Sequence, residues 1–85
     1  MKNTSSYDGT YVIHLRKNDL CKVPGSAAHI CYGAYRDGMT VAEFYRAFKR
    51  VKARNAKFPG MRNKCAGAIL TYDLSHGIVS LSPGA

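Results

Sequence analysis

Apolar and polar residues alternate over residues 10–16, and Tyr11, Ile13 and Leu15 fall on one side of that alternation. A period of two in a β-rich stretch predicts a half-buried strand. Residues 17–25 lose the pattern and carry Asn18, Asp19, Pro24 and Gly25, the composition of a loop. The period then lengthens. Ala27, Ile30, Cys31 and Ala34 recur every three or four residues behind Ser26, whose hydroxyl suits a helix N-cap. This predicts a first helix over residues 27–36, stopped by Asp37-Gly38.

Thr40 and Glu43 form the Thr-x-x-Glu capping box, in which each side chain satisfies a backbone amide of the other residue. Val41, Phe44, Tyr45, Phe48 and Val51 follow as an apolar stripe, predicting a second helix over residues 41–54. Residues 55–60 read as a basic loop closed by Pro59-Gly60. A third helix is expected over residues 61–75 with Cys65, Ala68, Ile69 and Tyr72 facing inward, and Gly77 as its stop. Residues 78–82 read as a last strand with Val79 and Leu81 inside. A lone strand is not stable, so the two strands are expected to pair. The expected fold is α+β, in the order β-α-α-α-β, with a small antiparallel sheet made by the N- and C-terminal strands. Residues 1–9 form a polar lead-in, residues 10–82 a single domain and residues 83–85 a tail.

Composition adds the partner class. Thirteen Lys and Arg stand against five acids in 85 residues, a net charge of +8. A charge of that size does not bear on fold, but it favours a polyanionic partner. No apolar run approaches the roughly 20 residues that cross a bilayer, and residues 1–8 lack the apolar stretch of a signal peptide. A cytoplasmic location, with the nucleoid included, is expected, and no membrane partner. Cys21, Cys31 and Cys65 are odd in number and far apart, which argues for reduced thiols over a disulfide framework.

The stretch Tyr35-Arg-Asp-Gly-Met-Thr-Val-Ala-Glu-Phe-Tyr45 resembles the segment leading into the second helix of small winged helix-turn-helix proteins common in phage and prophage genomes. Leu70-Thr-Tyr-Asp-Leu-Ser-His-Gly-Ile-Val-Ser-Leu81 resembles their third-helix exit and wing strand. The resemblance implies DNA binding with the third helix in the major groove, and a small transcriptional regulator as the function. Two departures stand out. A full wing has two strands after the third helix, and only one is expected here, so the N-terminal strand would supply the other. The loop between the second and third helices is also longer than a tight helix-turn-helix turn.

Eight of the thirteen cations lie between Arg46 and Lys64, a span without an acid. Arg46, Lys49, Arg50, Lys52, Arg54 and Lys57 are the candidate phosphate contacts, because ammonium and guanidinium groups meet phosphates without reading sequence. Arg62, Asn63 and Lys64, with Gly67 and Thr71, are the candidates for base readout, since Arg pairs with guanine and Asn with adenine in the major groove. Phe58, in the basic loop, is the aromatic best placed to stack on an unpaired base. The same residues have blander readings as solvated surface, caps and core.

No metal is expected. The His and Cys residues lack the close pairing of a zinc site, and only His29-x-Cys31 comes near it. No cofactor and no small-molecule substrate are expected, and no nucleophile is matched to a base, so the chain reads as non-enzymatic. Double-stranded DNA is the first partner expected, with a homodimer compatible with it. A second reading is a phage-encoded module that binds a host protein or ribonucleoprotein and inhibits a nucleic-acid machine, in an anti-CRISPR-like manner. A third is a binder of single-stranded DNA or RNA.

Overall fold

The computed structural model describes residues 7–18 and 21–84; most of the polar lead-in, Asp19, Leu20 and the last tail residue lie outside it. Strand β1 (Val12–Leu15) is followed by helices α1 (Ala27–Tyr32), α2 (Val41–Arg54) and α3 (Ala66–Ser75) and by strand β2 (Val79–Ser82), with a 3₁₀ turn at Met61–Asn63 ahead of α3. The α+β class and the β-α-α-α-β order are as the sequence predicts. So is the pairing of the strands, which run antiparallel with Val12 opposite Ser82 and Leu15 opposite Val79.

β1 is held on both edges. Its second edge meets the connection between α1 and α2, where Ile13 N–H donates to the Met39 carbonyl (2.7 Å) and Val41 N–H to the Tyr11 carbonyl (2.9 Å). Gly38 takes the left-handed conformation (φ 90°) that this turn requires, and its N–H donates to the Ile13 carbonyl at 2.8 Å. The Asp37 carboxylate accepts from Leu15 N–H at 2.8 Å. The predicted Asp-Gly stop is therefore also a clamp on the sheet.

The capping box forms as predicted. Glu43 N–H donates to Thr40 Oγ1 (3.1 Å), and Thr40 N–H donates to Glu43 Oε1 (2.8 Å). Val41, Phe44 and Phe48 of α2 are buried, with Phe44 at the centre, its ring stacked on Tyr35 with centroids 4.4 Å apart. Ile13, Cys31, Met61, Leu70 and Val79 complete the core around it.

Three expectations are corrected. The first helix ends at Tyr32 and not at residue 36: the amides of Gly33, Ala34 and Tyr35 bond back only three residues, to Ile30, Cys31 and Tyr32, and Ala34 and Tyr35 turn into the core. The third helix does not begin at residue 61. Met61 is buried in a 3₁₀ turn, Lys64 and Cys65 are extended, and Lys52 Nζ donates to the Lys64 carbonyl at 2.6 Å, outside the helical ladder. Arg62, Asn63 and Lys64 are therefore not on α3. Finally, the inward face of α3 is not Cys65, Ala68 and Tyr72, which are exposed; Leu70 and Asp73 are fully buried, with Ile69 partly buried beside them.

Candidate nucleic-acid interface

Two grooves beside the helices hold part of the candidate set: Arg46, Arg50 and Arg54 line one, and Asn63 and Lys64 line the other. In α2, Arg46, Arg50 and Arg54 follow one another at four-residue steps, which sets them in a row on one face. All three are exposed, and they line a groove with Arg36, contributed by the turn between α1 and α2. The three residues that follow Arg36 in that turn, Asp37, Gly38 and Met39, are hydrogen-bonded to β1. Met39, Ala47 and Val51 supply apolar lining between the guanidinium groups. Among the described residues, the one acid on the groove is Glu43, and it is engaged by the Thr40 amide. Four arginines against a single carboxylate leave a strongly positive channel. Guanidinium forks match phosphate oxygens in pairs, which a lysine cannot do.

The lysines of α2 are elsewhere. The helical period sets Lys52 on the far side of α2 from the arginine row, while Lys49 stands one i,i+3 step from Arg46 without lining the groove. Lys52 is half-buried and spends its ammonium on the Lys64 carbonyl, which removes it from the expected phosphate set. Lys57 is exposed in the loop after α2. Phe58 is half-buried and packs against the core, and is thereby taken from the expected stacking role.

The expected base-reading set is dispersed. Arg62 and Asn63 are exposed on the 3₁₀ turn, Lys64 is half-buried on the extended link, and Gly67 is half-buried on α3. Thr71 is exposed, but its hydroxyl shares a 2.7 Å hydrogen bond with Tyr7 Oη. α3 carries no Lys or Arg at all. Asn63 and Lys64 line a second groove, between α3 and residues 21–28, which has no residue in common with the arginine groove.

Beneath the second groove lies a buried polar network that the sequence pattern does not announce. Lys22 Nζ donates to Asp73 Oδ1 at 2.8 Å, and Tyr35 Oη donates to Asp73 Oδ2 at 2.6 Å. The Lys22 ammonium also sits 4.9 Å from the centroid of the Tyr72 ring, whose neighbour in a stacked contact is His76 (3.8 Å). Burial, then the hydrogen bond to the Asp73 carboxylate, hold the Tyr35 phenol well above the usual tyrosine range. No buried side-chain nitrogen or oxygen among the described residues lacks a partner. Asp73 was invisible as a site residue because its partners are distant in sequence. Arg36 stands alone in the sequence, outside the cationic run of residues 46–64.

All three thiols are free, and two of them, Cys21 and Cys65, line the second groove. Cys31 is buried beside Met61 Sδ (3.9 Å), and burial raises its pKa; Cys21 and Cys65 are exposed. Among the described residues, no three of His, Cys, Asp and Glu come close enough together to hold a metal ion. No helix among them is long and apolar enough to cross a membrane.

No protein-family model, curated protein or solved structure matches the chain.

Proposed function

We propose that this chain is a non-enzymatic, duplex-DNA-binding protein of winged-helix type that grips the phosphate backbone in the arginine groove of α2. The observation that carries this reading is the convergence of Arg36, Arg46, Arg50 and Arg54 on one groove whose single acid is occupied in a helix cap. A row of guanidinium groups repeated at each turn of a helix is suited to successive phosphates of one strand. The winged-helix assignment is supported by the place of β1. It lies beside β2, where a second wing strand would lie, and Thr40 bridges its other edge at Val12.

Sequence reading is assigned to Arg62, with Asn63 beside it, on the exposed turn before α3. α3 itself offers the duplex no cation. A transcriptional regulator of phage or prophage type is the role that this arrangement suits, because a fixed phosphate grip with few base contacts orients a protein on DNA before sequence is read.

The test is a titration of random duplex, single strand and RNA at two salt concentrations. Four neutralised phosphates give a log–log salt slope of about −3.6 for duplex. Absence of duplex binding at low salt would remove the proposal in favour of a protein-binding inhibitor.

A further inference from the structure

The second groove is chemically unlike the first. Its walls are the outer face of α3 and residues 21–28. The two large apolar side chains most exposed among the described residues, Val23 (71 % exposed) and Tyr72 (52 %), both line it, with Ala28, Ala68 and Ile69 between them. Lys17, Lys22 and Lys64 line it too, and among the described residues no carboxylate does. The Lys22 charge is answered by Asp73, which leaves Lys17 and Lys64 to face a ligand. Asn63 adds an amide with both donor and acceptor.

Each part of that lining constrains the occupant. Exposed apolar side chains gathered in one place mark a binding surface more often than chance exposure. A bare inorganic anion makes no use of Val23 and Tyr72, and a purely apolar molecule makes no use of the lysines. The ligand needs a flat or apolar body, a polar edge for an amide and a negative charge. A nucleotide has all three: a base with apolar faces, a hydrogen-bonding edge and a phosphate. Bases released from a stack are held in this way, between apolar or aromatic side chains with an amide on the edge.

We propose that the groove between α3 and residues 21–28 binds one unpaired nucleotide, with its base between Val23 and the Ala68–Tyr72 side and its phosphate toward Lys17 and Lys64. The site is independent of the arginine groove, and each can fail without the other. A free nucleotide and an unpaired nucleotide of a strand present the same chemistry.

The experiment is an NMR titration of the full chain with the four deoxynucleoside 5′-monophosphates, a short single strand, a blunt duplex and inorganic phosphate. Monophosphates should shift Val23, Ala28, Ala68 and Tyr72, while inorganic phosphate should leave these residues still. Tighter binding of the single strand than of free monophosphates assigns the source to a strand; the reverse assigns it to the free nucleotide. Tyr72→Ala should weaken binding at least about fivefold, as the loss of a base contact does. Ala68→Glu keeps the inference testable if Tyr72→Ala loosens the fold. It places bulk and negative charge in the groove, at an exposed position of the first turn of α3, where a carboxylate favours the helix. It should abolish nucleotide binding, while Arg50→Ala leaves it unchanged. No shift at these residues at about 10 mM nucleotide, a concentration that detects even a weak site, overturns the proposal. So does an equal shift with inorganic phosphate, or occupancy by an acidic amphipathic peptide in place of every nucleotide.

Discussion

The ammonium of Lys22 lies 2.8 Å from the carboxylate of Asp73, and both side chains are almost wholly removed from water. The pair joins the loop before α1 to the buried face of α3. A buried ion pair adds little net stability over well-packed apolar groups, but removing one partner strands the other charge. Asp73→Ala should therefore cost about 3–5 kcal/mol in urea unfolding, and the double change Lys22→Met, Asp73→Leu should recover most of it. A double variant as unstable as Asp73→Ala would mean that the loss comes from packing and not from the stranded ammonium.

Alkaline pH tests the third member of that network. The Tyr35 phenol is raised in the folded state by burial and by its bond to Asp73. Its contribution is complete below the unfolded tyrosine value of about 10 and declines as pH rises above it, because the unfolded chain then ionises first. Stability measured between pH 9 and 11 should fall more steeply for the natural chain than for Tyr35→Phe. Parallel profiles would show that Tyr35 ionises as freely in the fold as out of it.

The two flanks of α2 should separate in binding. Arg46→Ala, Arg50→Ala and Arg54→Ala should each weaken specific and random duplex alike and lower the salt slope by about 1. Lys52→Ala should leave the slope unchanged and reduce stability instead, since its ammonium is committed to the Lys64 carbonyl. Slopes read from fluorescence anisotropy over a salt series decide this, and an equal loss for Lys52→Ala would return that residue to the phosphate set.

Glu43 has two duties that one substitution divides. Gln preserves the capping-box geometry and removes the carboxylate charge from the arginine groove. Glu43→Gln should raise duplex affinity severalfold at low salt, with the gain fading as salt screens it, while the melting temperature barely moves. Thr40→Ala should do the reverse, costing about 1 kcal/mol of stability without changing the salt slope.

The parts of this fold legible in the sequence are those fixed by neighbours. Thr40 and Glu43 are three positions apart, and their box forms as read. The strand pairing was legible because two short alternating stretches had no other partner. The phase of α3 was not legible. Its sequence, Ala-Gly-Ala-Ile-Leu-Thr-Tyr-Asp-Leu-Ser, has apolar residues on every side, so no stripe marks the buried face. The inward choice falls on Asp73, which pattern reading assigns to solvent, because Lys22 and Tyr35 reach it from distant parts of the chain. For the site, the cationic density of residues 46–64 was plain. Its division between two grooves depends on where Lys64, Arg36 and the 3₁₀ turn settle in space.

The pairing of β1 with β2 governs how the protein is made. Ile13 is among the most deeply buried side chains, and its cross-strand neighbour is Leu81, at almost the full length of the chain. Contacts of such high sequence separation form late, since most of the chain entropy is lost before they reward it. α2, with its own cap and a local apolar stripe, is the natural nucleus. A ribosome has to release residues 79–82 before β1 finds its partner, so the nascent chain carries an unpaired, apolar strand edge while the three helices are made. The interval before β2 emerges is therefore when this fold is most open to aggregation.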